Sequence, residues 1–316
     1  MNIAYLISAY LDPNHLVRLV RALHIDAHYF IHVDKRANLD AFTAHLKDDN
    51  IHFIQDRVRV RWGTMLQVEY MMKLLQAAVD YPLKFDRIFS LSGQDYPVWS
   101  NDQITDFLSS LDHEELLQGI CIDSEVVEER QRELYQVARP VINIKFLPES
   151  LNLKLSIVAR KLLKTFGYRK DLYFVDNQGQ TLSLYKGSDY WCITEDLARY
   201  VLEKYHTDKT VRKYFSDSFA PSETLIHTLA FNSPQFSQHC IRYRGEYPGL
   251  ARLTPLHFID YQPLIHILTE KDYQRILDSG KMFIRKAQTG SSDTLMDMLD
   301  RDRDDNYTDD YTTDEE

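Results

Sequence analysis

Cysteine is scarce. The chain of 316 residues has three, Cys121, Cys192 and Cys240, far apart and without a CxxC pair. That excludes a disulfide framework and a cysteine-based zinc site, and it suits a reducing compartment. No apolar run approaches the roughly eighteen residues of a membrane span. Met1-Asn2-Ile3-Ala4-Tyr5 enters a strand-like run with no basic region before it. No signal peptide is therefore expected, and the expected location is cytoplasmic. No GxGxxG follows the first strand-like run, so the dinucleotide fingerprint is missing. A Walker A sequence is missing too, which excludes a P-loop kinase or ATPase. Basic excess is also absent. The formal charge is −10, but nine acids and two arginines lie from Asp300 to Glu316, leaving only −3 on the body. Nothing there suggests nucleic acid.

What is present is strand–helix alternation. Residues 2–8, 28–33, 51–54 and 87–92 read as strands. Helical spacing covers 14–23 and about 64–81. This order predicts an α/β fold with a mostly parallel sheet and helices on both faces. The pattern loosens after Cys121 and returns to strands at 172–175, 182–185 and 190–193. Thr194 reads as the cap of the next helix, and Pro221 as a first-turn proline. A last strand at 282–284 precedes a short helix capped by Ser291 or Ser292. Residues 300–316 have almost no apolar content and are expected to be disordered; their Asp-x-Asp spacings read as a solvated tail rather than metal ligands.

Two carboxylates stand out, Asp189 in Lys186-Gly187-Ser188-Asp189-Tyr190-Trp191 and Glu223 in Pro221-Ser222-Glu223-Thr224, with a basic pair, Arg285-Lys286, after them. Carboxylates can deprotonate a hydroxyl, and cations can hold a diphosphate leaving group. Ser8 and Asp34 end the first two strands, where open α/β sheets bind nucleotides. The segment 151–170 carries Lys154, Arg160, Lys161, Lys164, Arg169 and Lys170 with no acid among them. It reads either as a surface helix facing acidic parts of the chain or as a membrane-surface helix.

Together these motifs resemble glycosyltransferase family 14, which holds the core-2/I-branching β-1,6-N-acetylglucosaminyltransferases and the peptide O-xylosyltransferases. The further pieces are Phe30-Ile31-His32-Val33-Asp34-Lys35, Val60-Arg61-Trp62-Gly63, Leu91-Ser92-Gly93-Gln94-Asp95-Tyr96-Pro97 and Phe283-Ile284-Arg285-Lys286. The resemblance runs from Ile3 to about Leu299. It implies a single GT-A type, Rossmann-like catalytic domain over 1–299, with 1–120 binding UDP and 121–299 binding acceptor. It implies inverting, metal-independent transfer from a UDP-sugar, UDP-GlcNAc first and UDP-xylose second, to a glycan or glycoconjugate, lipid-linked in one reading. Glu223 matches the family's base. Asp189 either orients the acceptor or is the base itself. Lys286 matches a phosphate-binding lysine, and Arg285 or Arg252 would substitute for an arginine missing upstream.

Further residues follow from the same resemblance. Arg59 falls near the nucleoside, Asp34 accepts from the uracil N3–H, and Asp95 and Tyr96 border the donor sugar. Tyr190 and Trp191 face the acceptor, although Trp191 reads equally well as a core aromatic. Trp62 and Gly63 are expected to pack at the sheet edge. His32 reads as a satisfied strand histidine. The strand-end motif Ser92-Gly93-Gln94-Asp95 has one acid and no partner two residues before it, so no metal site is expected there. A rival reading is a non-catalytic sugar-binding or scaffold protein that kept the fold.

Overall fold

A computed structural model describes residues 1–309, apart from 143, 145, 250, 251, 262 and 263. The chain opens with β1 (Ile3–Ala9), α1 (Pro13–Ala22), β2 (His28–Val33), α2 (Leu39–Thr43), β3 (Ile51–Phe53) and α3 (Met65–Val79). β4 (Arg87–Ser92), β5 (Asp95–Pro97), α4 (Asn101–Ser109) and β6 (Glu115–Cys121) follow. The expected strands and helices of this half are present, within a few residues at their ends.

β1 is the hub. It pairs in parallel with β2 on one side and β4 on the other, and β2 pairs in parallel with β3. Alternation along β1 splits its side chains between two cores. Ala4 and Leu6 join the core under α3, while Ile3, Tyr5 and Ile7 join the core under α1. Both faces are covered, so the strand reads as a near-continuous apolar run. Asp12 caps α1 by accepting from His15 N at 3.0 Å, and Pro13 opens the helix where a missing N–H costs nothing.

The second half adds α5 (Glu129–Gln136), α6 (Glu149–Thr165), β7 (Tyr173–Val175), β8 (Thr181–Ser183), β9 (Tyr185–Gly187) and β10 (Cys192–Ile193). β10 lies antiparallel between β4 and β6, and β9 pairs antiparallel with β6. Thr194 caps α7 (Glu195–Thr207) by accepting from Leu197 N at 3.3 Å, as its position predicts. α8 (Lys209–Phe215), α9 (Leu225–Asn232) and β11 (Cys240–Arg242) complete this layer. β12 (His257–Ile259) and, after α10 (Tyr273–Asp278), β13 (Phe283–Arg285) join β5 in a separate three-stranded sheet.

The end of the chain corrects the sequence reading. α11 runs Asp293–Asp309, through ten residues expected to be disordered. Its own Leu295, Met296 and Leu299 are buried against the body. Arg18 on α1 donates to Asp297 at 2.6 Å and to Asp300 at 2.7 Å. The Tyr96 hydroxyl donates to Asp300 at 2.8 Å, and Arg303 donates to it at 2.7 Å. These acids have fixed counter-charges on the body, which composition alone does not reveal. Residues 310–316 lie outside the described residues.

Candidate active site

A cleft of about 640 Å³ opens at the carboxyl ends of β1, β2 and β4. Ser8, Asp34, Asp189, Tyr190, Glu223, Arg285 and Lys286 all line it. Residues more than two hundred positions apart thus meet in one place.

The Lys186–Asp189 motif forms one wall. Gly187 on β9 is required sterically, because a Cβ there would sit 2.1 Å from the Gln118 carbonyl and 2.2 Å from His227 Nε2. Lys186, also on β9, is buried and forms an ion pair with Glu223. Burial opposes the charge on Lys186, but Glu223 beside it pushes its pKa upward. Sequence reading missed this pair. A lysine in an otherwise buried strand was the available signal, since such lysines are almost never fully buried unless paired.

Glu223 itself closes a short 3-10 turn, Pro221–Glu223, and α9 starts only at Leu225. Ala220, just before the turn, sits in the left-handed region at φ 42°. A non-glycine residue there costs of order 1–3 kcal/mol, a strain found most often at functional sites. Ser222 donates to Asp189 Oδ2 at 3.3 Å, and Asp189 Oδ1 is buried with no hydrogen-bond partner among the described residues. Burial pushes the Asp189 carboxyl up to about 7, the charge of Glu223 adds to the rise, and Ser222, Lys186 and Arg285 oppose it. Two neighbouring carboxylates therefore sit in different environments, the arrangement that divides acid and base roles.

The cleft is also lined by cations. Arg285 on β13 faces Asp95 on β5 directly across the antiparallel ladder and donates to its Oδ1 at 3.0 Å. It also lies over the Tyr190 ring, 4.9 Å from the centroid. Lys286, next in sequence, has no carboxylate partner among the described residues. Burial and the charge of Arg285 lower its pKa.

Several expected positions are corrected. Asp95 is fully buried beneath the cleft rather than bordering it. It accepts from Ser92 N at 2.7 Å and hydrogen-bonds His257 Nε2 at 3.1 Å besides holding Arg285. Burial would raise its pKa, but His257 and Arg285 hold it below the usual carboxylate value. Tyr96 points to the opposite face of β5, towards Arg18 and Asp300, because adjacent strand residues alternate. Trp191 is buried in the core, while Tyr190 faces the cleft. Arg59 lines a separate hollow with Lys35 and Arg57. Trp62, expected to pack, is instead 69% exposed at the cleft lip, edge-on to Phe219 at 6.0 Å.

Asp34 lines the cleft but is already occupied. Its Oδ1 accepts from Arg36 N and Nε at 2.8 and 2.9 Å, and its Oδ2 from Arg36 Nη2 and Val60 N at 2.9 and 3.0 Å. Four donors fill a carboxylate's capacity, so Asp34 holds Arg36 and the 58–62 loop rather than a base edge. His32 behaves as expected, accepting from Val58 N at 2.8 Å. One grouping of metal-binding residue types exists among the described residues, Asp260, His266 and Asp272. Arg275 donates to both of its carboxylates, at 3.2 and 3.0 Å, and fills the space.

Comparison with known proteins fits this geometry. The Core-2/I-Branching enzyme family model matches residues 3–276. Xylosyltransferase 1 of Rattus norvegicus is 27% identical over 235 residues, 71% of this chain and 24% of that protein. Xylosyltransferase sqv-6 of Caenorhabditis briggsae is 26% identical over 223 residues, 68% of this chain and 24% of that protein. Xylosyltransferase 2 of Canis lupus familiaris is 24% identical over 227 residues, 69% of this chain and 23% of that protein. The chain thus spans about a quarter of the length of these curated relatives. With the family model covering nearly its whole length, the chain belongs to the Core-2/I-Branching enzyme family.

Proposed function

We propose that this chain is an inverting glycosyltransferase that moves a sugar from a UDP-sugar to a hydroxyl of a glycan or glycoconjugate. The observation that carries this reading is one cleft lined both by a carboxylate pair, Asp189 and Glu223, and by the cations Arg285 and Lys286. The names of the xylosyltransferase relatives support UDP-xylose as donor beside UDP-GlcNAc.

The reaction is a single displacement. The acceptor oxygen attacks the sugar C1, the bond from C1 to the β-phosphate oxygen breaks, and UDP leaves from the opposite face. Glu223 takes the acceptor proton, with Lys186 as its buried counter-charge. Asp189, with one oxygen unpartnered, orients the acceptor hydroxyl. Lys286 meets the charge that builds on the leaving phosphate, and Arg285, fixed by Asp95 and Tyr190, adds preorganised positive field.

No metal is needed in this scheme. Asp95 is the acid at the position where a divalent cation would be held, and its oxygens already face Arg285, His257 and Ser92 N. Those neighbours do not fit a cation. The test is UDP release from UDP-GlcNAc and UDP-xylose, with and without EDTA. Glu223→Gln is expected to lower kcat by roughly 10²–10⁴-fold with UDP affinity nearly unchanged, the usual worth of general-base catalysis. Near-wild-type turnover in that variant would move the base to Asp189. Loss of activity in EDTA with recovery on manganese would refute the metal-free scheme.

A further inference from the structure

α6 leaves an unusual amount of apolar surface exposed for a surface helix. Such helices turn their apolar stripe inward. Here Asn152 and Ser156 face the body. Asn152 Oδ1 accepts from Ile144 N at 3.0 Å, and Ser156 Oγ accepts from Ile142 N at 2.9 Å. Leu155, Ala159 and Leu163 are half-buried on that same side, but further apolar residues face out. Leu151, Val158 and Leu162, spaced i, i+7 and i+11, are 41%, 52% and 53% exposed, and Phe166 beyond them is 82% exposed. Lys154 and Lys161 border this row on the exposed side, Lys164 lies further round the exposed surface beside Ile157, and 151–170 contains no acid to neutralise them.

The helix also lies near the cleft mouth. The hollow beneath it is lined by Ile144, Leu147 and Asn152 together with Arg57 and Arg61, next to Trp62. Arg139, from the segment leading into α6, stacks on Phe219 with its guanidinium 3.9 Å from the ring centroid, and Phe219 meets Trp62.

We propose that α6 docks this protein on an anionic bilayer surface. An apolar stripe bordered by lysines matches the boundary between acyl chains and negatively charged headgroups, where the leucines bury and the lysines reach the phosphates. No helix among the described residues is long and apolar enough to cross a membrane, so the contact is peripheral. Docking there sets the cleft mouth beside the bilayer, where a lipid-linked acceptor would present its hydroxyl. That consequence rests on the glycosyl-transfer reading, whereas the docking itself does not.

The test is co-sedimentation of the full chain with phosphatidylcholine vesicles and with vesicles in which a quarter of the lipid is phosphatidylglycerol, at low and high salt. Wild type is expected on the anionic vesicles, released by salt. The triple variant K154E/K161E/K164E is expected to bind at least 100-fold more weakly, since each cation near such a surface contributes about a fivefold factor. Val158→Ser with Leu162→Ser is expected to weaken binding at least tenfold. All five positions are exposed, so unchanged melting temperatures show that the variants fold. UDP release with a soluble acceptor is measured in parallel. Failure of that assay alone counts against the function reading and not against docking. No binding to anionic vesicles, or equal binding to neutral ones, overturns the proposal. So does a concentration-dependent dimer that the serine variant dissolves, because a second copy would then be what covers the stripe.

Discussion

Replacing Asp189 with asparagine is expected to stabilise the fold near neutral pH while removing activity. The folded carboxyl is pushed from 3.8 to about 7, chiefly by burial and then by Glu223. Its folded pKa is raised, so the stability it contributes is fully present below the unfolded value and is lost as pH rises through the folded one. The penalty develops between about pH 4 and pH 7. Three units at about 1.4 kcal/mol each set a ceiling of about 4 kcal/mol. Asparagine keeps a polar group in the same place and still accepts from Ser222, so about half that gain is a fair expectation. At about 2 °C per kcal/mol, the melting temperature should rise by about 4 °C at pH 8 and by little at pH 4. Thermal unfolding of both forms across that range checks this. An unchanged or lower melting temperature at pH 8 would refute the electrostatic reading of the pair. Glu223→Gln should move the other way, because it strands a buried Lys186 cation, a loss of about 3–5 kcal/mol for a buried pair. The two carboxylates are thus separable by stability even though both variants lose turnover.

Other outcomes follow from the same geometry. Lys286→Ala should weaken UDP binding, measured by calorimetry, and also slow turnover, since its contact strengthens as the β-phosphate gains charge. Lys286→Arg should restore only part of both, because a guanidinium places its donors differently. Gly187→Ala should cost more than about 3 kcal/mol and reduce folded yield, as its Cβ would collide with backbone. Ending the chain after Leu299 should lower stability by about 1–3 kcal/mol in denaturant titration, because Arg18 and Tyr96 lose Asp300. An unchanged midpoint would mean that the α11 contacts are energetically neutral.

The strands around β1 were legible because a doubly covered parallel strand needs an apolar run, and such a run is local. The place of Ser8 and Asp34 at the cleft was legible for the same reason, since it follows from where those runs end. What escaped reading was direction and pairing. Asp95 and Tyr96 are neighbours on opposite faces of β5, and their partners, Arg285 on β13 and Asp300 on α11, come from about two hundred residues later. Tyr190 and Trp191 divide in the same way at the entrance to β10. Charge misled where partners were remote. The acids of α11 read as solvated until Arg18 was placed beside them, and Lys186 read as part of a motif until Glu223 met it.

These failures share a cause with the chemistry. A buried charge is tolerable only when a partner from elsewhere in the chain arrives at hydrogen-bond distance, and such partners cannot be read from spacing. Glu223 and Asp189 differ in that respect. Glu223 has Lys186, brought by a strand that tolerates only glycine beside it. Asp189 has Ser222 on one oxygen and no partner on the other. The unpaired oxygen is an unfavourable feature of the fold, and under the proposed function a hydroxyl brought by an acceptor would relieve it. Under the proposed function, local instability at Asp189 and complementarity to a substrate hydroxyl would share one cause, which is why the asparagine variant should gain stability as it loses function.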